Sequence, residues 1–450
     1  MREAAGESPV IIVGAGVAGL TAAIRLGEAG VKATVLEARD RMGGRVFTQH
    51  ALGCEAPIEL GAEFIHGKPP EIWDLLQQHG KKITEVDGEN WCASAGRLHS
   101  CDFFAEVEKI LEKMDDSSKD ESFLTFLERT FSNPGCDARL EEAKRHALRY
   151  VSGFNAAEPG LVGVHWLVQG MRAEEKIEGD RAFRPRNGYE DLMEILAEKI
   201  RQLKIPVHMK TVVEEIRWRN AEVEVRTRNQ EEPAVFSASS VLVTVPLGVL
   251  KAATAERGVI QFCPELPAEK LNALEKLEMG HVIRVVLRFR ERFWEKVSPS
   301  GKKTLAEMSF LFSDDGSFPT WWTLMPHKYP VITGWAPVGA ADRLSGRDPE
   351  FVKRQAVQTL ARSFGVNAEL IESSLESAHY HDWQSDPFSR GAYSYGKVGC
   401  DGAQQSLGAP VENTLFFAGE ATDTSGRNGT VHGAIASGER AAKEILRARR

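Results

Sequence analysis

The chain has 450 residues, 42% of them hydrophobic and 27% charged, with a formal net charge of −8 at pH 7. That length supports two or three domains with full cores, and the acidic balance excludes a surface built to neutralise nucleic-acid phosphates. No run approaches the roughly 18 apolar residues needed to span a bilayer, and Met1 to Pro9 lacks the apolar stretch of a secretory leader, so no membrane partner is expected and the cytoplasm is the default compartment.

Six cysteines (Cys54, Cys92, Cys101, Cys136, Cys263 and Cys400) are scattered, with no Cys-x-x-Cys pair and no zinc-like His/Cys spacing. Reduced thiols and no metal site are the expectation.

In chain order, Val10 to Val13 is a continuous apolar run, the pattern of a strand buried on both faces. Leu20 to Ala29 reads as a helix ending at Gly30, and Val31 to Leu36 as a second strand, which completes a βαβ unit. Residues 104 to 150 are charged and helical, with a polar break at 115 to 119. Tyr189 to Leu203 reads as an amphipathic helix, and Val207 to Val245 is rich in strand. The stretch from 283 to 336 is again largely strand, Phe351 to Phe364 is helical, Leu415 to Ala418 is a last buried strand, and Val431 to Arg449 is a last helix.

Gly14, Gly16 and Gly19 follow the first strand and open the first helix. The first glycine permits the tight turn, the second lets the backbone approach a pyrophosphate, and the third lets helix and strand pack closely. The helix N-terminus supplies free amides and a positive dipole end. Glu37 closes the next strand, at the spacing of a carboxylate that accepts ribose hydroxyls. Directly after it come Arg39, Gly43, Gly44 and Arg45, a second glycine loop with guanidinium groups able to approach phosphates.

At this point the sequence resembles the flavin amine oxidase family, which includes monoamine oxidases, polyamine oxidases, L-amino-acid oxidases and histone-demethylating lysine oxidases, and it is most like the polyamine oxidases. The stretches from Glu59 to Gly67, Thr244 to Leu250, Met279 to Arg284, Arg390 to Tyr395, Phe417 to Thr422 and Gly429 to Ala434 are each similar to a segment of that family. The resemblance implies an α/β FAD-binding domain, Rossmann-like and of the glutathione-reductase type, with an inserted α+β substrate-binding domain. The division it suggests is 8–80, 205–262 and 410–450 for the discontinuous FAD domain, and 81–204 and 263–409 for the substrate domain. Gly61 and Ala62 in the loop over the flavin, Val213, Gly419 and Glu420 join the cofactor-binding set. Thr430 and Val431 stand where the last helix begins, so its free amides can meet the flavin pyrimidine oxygen.

The resemblance also implies the chemistry. An amine, a di- or polyamine by preference, loses hydride to flavin N5; oxygen accepts the electrons to give hydrogen peroxide, and the imine hydrolyses to aldehyde plus amine. Ala392 occupies the place of the cysteine that bonds the flavin in monoamine oxidases, which implies non-covalent FAD. Tyr393 takes the place of a substrate-facing tyrosine. The opposite wall, a second tyrosine in monoamine oxidases, is Thr430. His66 falls where polyamine oxidases carry a pocket histidine or glutamate. Glu63 lies on the same loop, where those enzymes do not usually place an acid; facing the pocket, it would bind a second cationic centre. Arg284 replaces a family lysine that holds a water near flavin N5. Trp321 and Trp322 either line the channel or pack under a loop. The alternatives are an L-amino-acid oxidase, in which a guanidinium clamps the substrate carboxylate, a protein-lysine oxidase, which the absence of a long helical arm disfavours, and a related dehydrogenase or biosynthetic enzyme.

Overall fold

The computed structural model describes residues 9–53, 55–94, 97–131, 138–229, 233–253, 256–299 and 303–450. Expectations for most of the first nine residues and for Cys54 and Cys136 lie outside the described residues.

The centre of one half is a parallel sheet ordered Val207–His208, Ala33–Leu36, Val10–Val13, Ser240–Val243 and Leu415–Phe417. Val10 pairs in register with both Ala33 and Ser240. The strands alternate between two cores, as side-chain period two requires. Val10 and Ile12 face helices Val17–Glu28, Glu190–Gln202 and Val431–Ala448. Ile11 and Val13 face a four-stranded sheet spanning residues 212–263 and share a core with Val213, Ile216 and Val225. Two-sided burial is therefore why Val10 to Val13 carries no polar residue.

The other half is built on a seven-stranded sheet ordered Leu375–Tyr380, Val282–Phe289, Val331–Pro337, Thr320–Thr323, Met308–Ser313, Glu89–Ser94 and Arg97–Ser100. All neighbours are antiparallel except Met308–Ser313 with Glu89–Ser94. Helix Pro349–Phe364 shares one of its cores with Trp294 and Trp321. Helices Phe103–Leu111, Phe123–Thr130, Ala138–Gly153 and Val164–Glu175 form a lobe around a separate core, with Phe103 stacked on Phe312 at 3.8 Å between ring centroids.

Three features depart from the sequence reading. Helix Glu190–Gln202, assigned there to the substrate domain, packs on the parallel sheet through Leu192, Ile195, Leu196 and Ile200. Helix Val164–Glu175 was not anticipated. The expectation of reduced thiols is corrected at two positions: Cys92 and Cys101 are disulfide-bonded across a hairpin, with Cα atoms 5.7 Å apart. The scattered spacing that argued for a reducing compartment therefore loses its force. Cys263 and Cys400 are free thiols. No helix among the described residues is long and apolar enough to cross a membrane.

The contact between the first strand and first helix is tight. A Cβ on Gly19 would stand 2.1 Å from the Gly14 carbonyl oxygen. Gly19→Ala should therefore cost about 1–3 kcal/mol through overpacking and lower bound flavin. Thermal melts and the flavin-to-protein absorbance ratio of the purified variant check this.

Candidate active site

The glycine turn is organised by its surroundings. Gly14 has φ +106°, a conformation L-residues avoid, and a Cβ there would lie 2.8 Å from Thr244 Oγ1. Gly16 caps helix Val17–Glu28 without a side chain, and a Cβ there would meet nothing within 4 Å. That combination of open space and unsatisfied amides at a helix N-terminus fits a pyrophosphate. Gly43 donates its amide to the Ala15 carbonyl at 2.9 Å, which lays the second glycine loop, with Gly44, against the first. Glu37 is buried at the end of its strand and accepts from the Ala15 and Arg39 amides at 2.8 and 2.9 Å. Arg39 pairs with Asp386 at 2.9 Å and Arg45 with Glu420 at 2.8 Å, so both guanidiniums are already engaged. The Val213 side chain is buried in the core between the two sheets.

Glu420 follows Gly419 in a single 3-10 turn, Glu420–Thr422. Besides Arg45, its carboxylate accepts from the Ser394 hydroxyl at 2.6 Å and the Gly429 amide at 2.9 Å. Thr430 is the N-cap of helix Val431–Ala448, its hydroxyl accepting from the Gly433 amide at 3.0 Å. The amides of Val431 and His432, in the first turn, have no helical acceptor and remain for an anionic or carbonyl oxygen.

Glu63 differs from the sequence expectation. It is buried at 5% exposure, and its carboxylate is held by Arg184 Nε at 2.6 Å, by Arg284 Nη2 and by the Trp322 indole at 3.0 Å. Burial alone would raise its pKa; the Arg284 and Arg184 charges overcome this and hold it below the ordinary carboxylate range. A carboxylate bound to two guanidiniums has no free charge for a substrate cation, which corrects the pocket role expected of Glu63. Arg284 also donates to the Gly61 carbonyl at 2.6 Å. It is one half of an ion pair rather than an isolated cation. Ala62 sits beside it, its amide donating to the Arg45 carbonyl at 3.2 Å. Glu59 lies close by, pushed up to about 7 by burial although the Tyr189 amide partly offsets this. Trp321 is fully buried in the core, and Trp322 serves Glu63.

A cavity enclosing about 620 Å³, part of it open to solvent, adjoins the start of the last helix. Its polar lining includes His66, Tyr150, Asn155, Glu174, Thr430 and His432. Burial pushes His66 down to about 4. His432 is lowered to about 3, by burial first and then by the Arg427 and His66 charges. Both rings are therefore neutral at physiological pH. An aromatic row forms one wall: His66 lies 4.9 Å from the Phe154 ring, and Phe154 stacks on Tyr150 at 4.9 Å. Tyr393 is tied to this row by its hydroxyl, which donates to the Phe154 carbonyl at 2.7 Å. It also flanks the turn before Thr430, since a Cβ on Gly429 would lie 3.1 Å from Tyr393 Cδ2. Tyr150, Asn155 and Glu174 were not anticipated from sequence. Glu174 lies on helix Val164–Glu175, over which no element was expected. Among the described residues no group of three or more His, Cys, Asp or Glu could hold a metal.

The sequence that builds this cradle and cavity matches a known family. The flavin containing amine oxidoreductase family matches residues 17–93 and 97–446, and the chain belongs to that family. It is a flavin-dependent amine oxidoreductase. It is 30% identical to Polyamine oxidase 2 of Arabidopsis thaliana, over 97% of this chain and 87% of the relative. It is 28% identical to Probable polyamine oxidase 4 of the same organism, over 98% and 87%. Lysine-specific histone demethylase 1 homolog 2 of Arabidopsis thaliana is 30% identical over 98% of this chain, which spans 58% of that longer protein. A solved structure of putrescine oxidase, wild type bound to putrescine, superposes with a TM-score of 0.79 at 21% identity, covering 98% of this chain and 99% of the other. That superposition shows the shared FAD-binding α/β fold.

Two outcomes follow from the electrostatics. Glu63→Ala leaves Arg184 and Arg284 buried without their anion and should destabilise the protein by about 3–5 kcal/mol, measured by denaturant unfolding. For His66, the unfolded ring takes a proton near its ordinary 6.5 while the folded ring resists until about 4. The folded state is thus fully favoured above 6.5 and loses stability as pH falls through that window. Relative to His66→Asn, the wild type should lose up to about 3 kcal/mol over it, read from paired melts at stepped pH.

Proposed function

We propose that the chain oxidises a diamine or polyamine, using FAD held non-covalently and oxygen as electron acceptor, to give hydrogen peroxide, an aldehyde and a released amine. The observation that carries this reading is the cavity itself. It joins the helix terminus at Thr430 to an aromatic wall, its two histidines are neutral, and nothing in it repels a cation except Arg427, which is paired with Glu71 at 2.6 Å. Polyamine oxidases among the relatives, and a putrescine oxidase with the same fold, point the same way.

In this reading Gly14, Gly16 and Gly19 with the helix amides hold the pyrophosphate. Glu37 exchanges a backbone partner for ribose hydroxyls, and the Val431 and His432 amides face the pyrimidine edge. The bound flavin supplies the two-electron acceptor. The protein's own work is placement. Tyr393, fixed by Phe154, flanks the amine with its ring, and His66 remains an uncharged neighbour that does not compete with the substrate cation. The apolar walls from Leu111, Met114, Trp166 and Met171 exclude water from the reacting carbon. No strong general base is needed, because a neutral amine is already competent. Ala392 cannot form a thioether, which supports non-covalent FAD. An L-amino-acid oxidase would need a guanidinium free to clamp a carboxylate, and Arg284 is committed to Glu63.

The test is a peroxide-detection panel of putrescine, spermidine, benzylamine, leucine and phenylalanine. Turnover should be confined largely to the first two, and acid should release intact FAD from the polypeptide. Leucine as the best substrate would transfer the chain to the amino-acid oxidases. Flavin retained through denaturing electrophoresis would refute non-covalent binding.

A further inference from the structure

Glu174 lines the cavity close to the end of helix Val164–Glu175. It makes no ion pair and no side-chain hydrogen bond among the described residues, and burial is the sole cause that pushes it up to about 7. Its position is unfavourable twice over. Desolvation opposes its charge, and the negative end of the helix dipole adds to that opposition. A carboxylate that only stabilised the fold would be expected to carry a cationic partner, as Glu63 does. A second acceptor in the same cavity is also unsatisfied: the side-chain oxygen of Asn155 is buried with no hydrogen-bond partner. Tyr150 lines the same cavity. Its ring stacks on that of Phe154, the residue before Asn155, and the Glu174 charge, after burial, helps raise its phenol well above its ordinary value. The cavity therefore offers two acceptors and an aromatic face, one His66–Phe154–Tyr150 row away from Thr430, and the Arg427 that also lines it is paired with Glu71 instead.

An alkylammonium group answers this inventory. It donates three hydrogen bonds, carries the charge Glu174 lacks, and is attracted to the Tyr150 ring face. We propose that Glu174 and Asn155 form the anchor for the distal ammonium of a diamine or polyamine, with Tyr150 as its aromatic floor, and that Glu174 is the residue that sets preference for diamines over monoamines. The inference rests on the amine-oxidation reading for its substrate class, but not for its binding site. Glu63, the acid the sequence suggested for this task, is excluded by its own two arginines; Glu174 is the carboxylate the fold leaves open.

The experiment is calorimetric titration of the holoenzyme, with its flavin reduced beforehand under anaerobic conditions so that binding is read without turnover. Putrescine is compared with butylamine, which has one ammonium fewer at equal chain length. The wild type should bind putrescine about tenfold or more tightly than butylamine, and Glu174→Gln should bring the ratio to within about twofold, because the pair is charge-assisted and desolvated. A Glu174→Gln variant that keeps the putrescine advantage overturns the anchor. If that variant does not retain flavin, Asn155→Leu serves in its place. It should weaken putrescine more than butylamine, and equal weakening of both overturns the proposal. Preferential putrescine binding in a protein that produces no peroxide from any amine would overturn the oxidase reading while leaving the anchor intact. Equal binding of both amines by a competent oxidase would do the reverse.

Discussion

A buried carboxylate held between two guanidiniums joins the halves of this molecule. Glu63 belongs to the loop next to the cofactor cradle. Arg184 lies on strand Ala182–Pro185 and also donates to the Thr323 and Met325 carbonyls, and Arg284 lies on strand Val282–Phe289, the second strand from one edge of the seven-stranded sheet. Three charges without bulk water would be costly to assemble. What makes the arrangement tolerable is the number of partners. The Trp322 indole, the Gly61 carbonyl and the nearby Glu59 complete a network in which the excess positive charge faces a second carboxyl. The geometry of the loop over the cofactor is thereby referred directly to the substrate-side sheet, and neither part can shift without disturbing ions.

The fold was legible where local chemistry and tertiary demand coincide. Val10 to Val13 could be read as a strand because both of its faces are covered, and the glycine turn could be read as a cradle because only glycine suits Gly14 and Gly19. Domain assignment failed at helix Glu190–Gln202 because an amphipathic helix states that it has a partner surface without stating which one. The hairpin disulfide between Cys92 and Cys101 was hidden for a similar reason: the register that brings Cys101, just past the end of its strand, near Cys92 is set by strand pairing, not by cysteine spacing.

The site shows the same boundary. Two departures from the family pattern were visible in the sequence, an acid at Glu63 and an arginine at Arg284, and each suggested a separate function. The structure makes them partners, 221 residues apart in the chain. Nothing in a single sequence connects positions so distant, so the bridge could only be found in three dimensions. Glu174 was passed over for a different reason. The sequence was read without a helix over residues 164–175, and only the surrounding Tyr150, Trp166 and Met171 show that Glu174 faces inward.

Glu420 fastens Arg45, the strand residue Ser394 and the turn residue Gly429 to one another through bonds that belong entirely to the polypeptide. These three segments are thus held together by a single carboxylate. One side chain therefore sets how three segments distant in the chain stand relative to one another, and a change at Glu420 would reach all three at once.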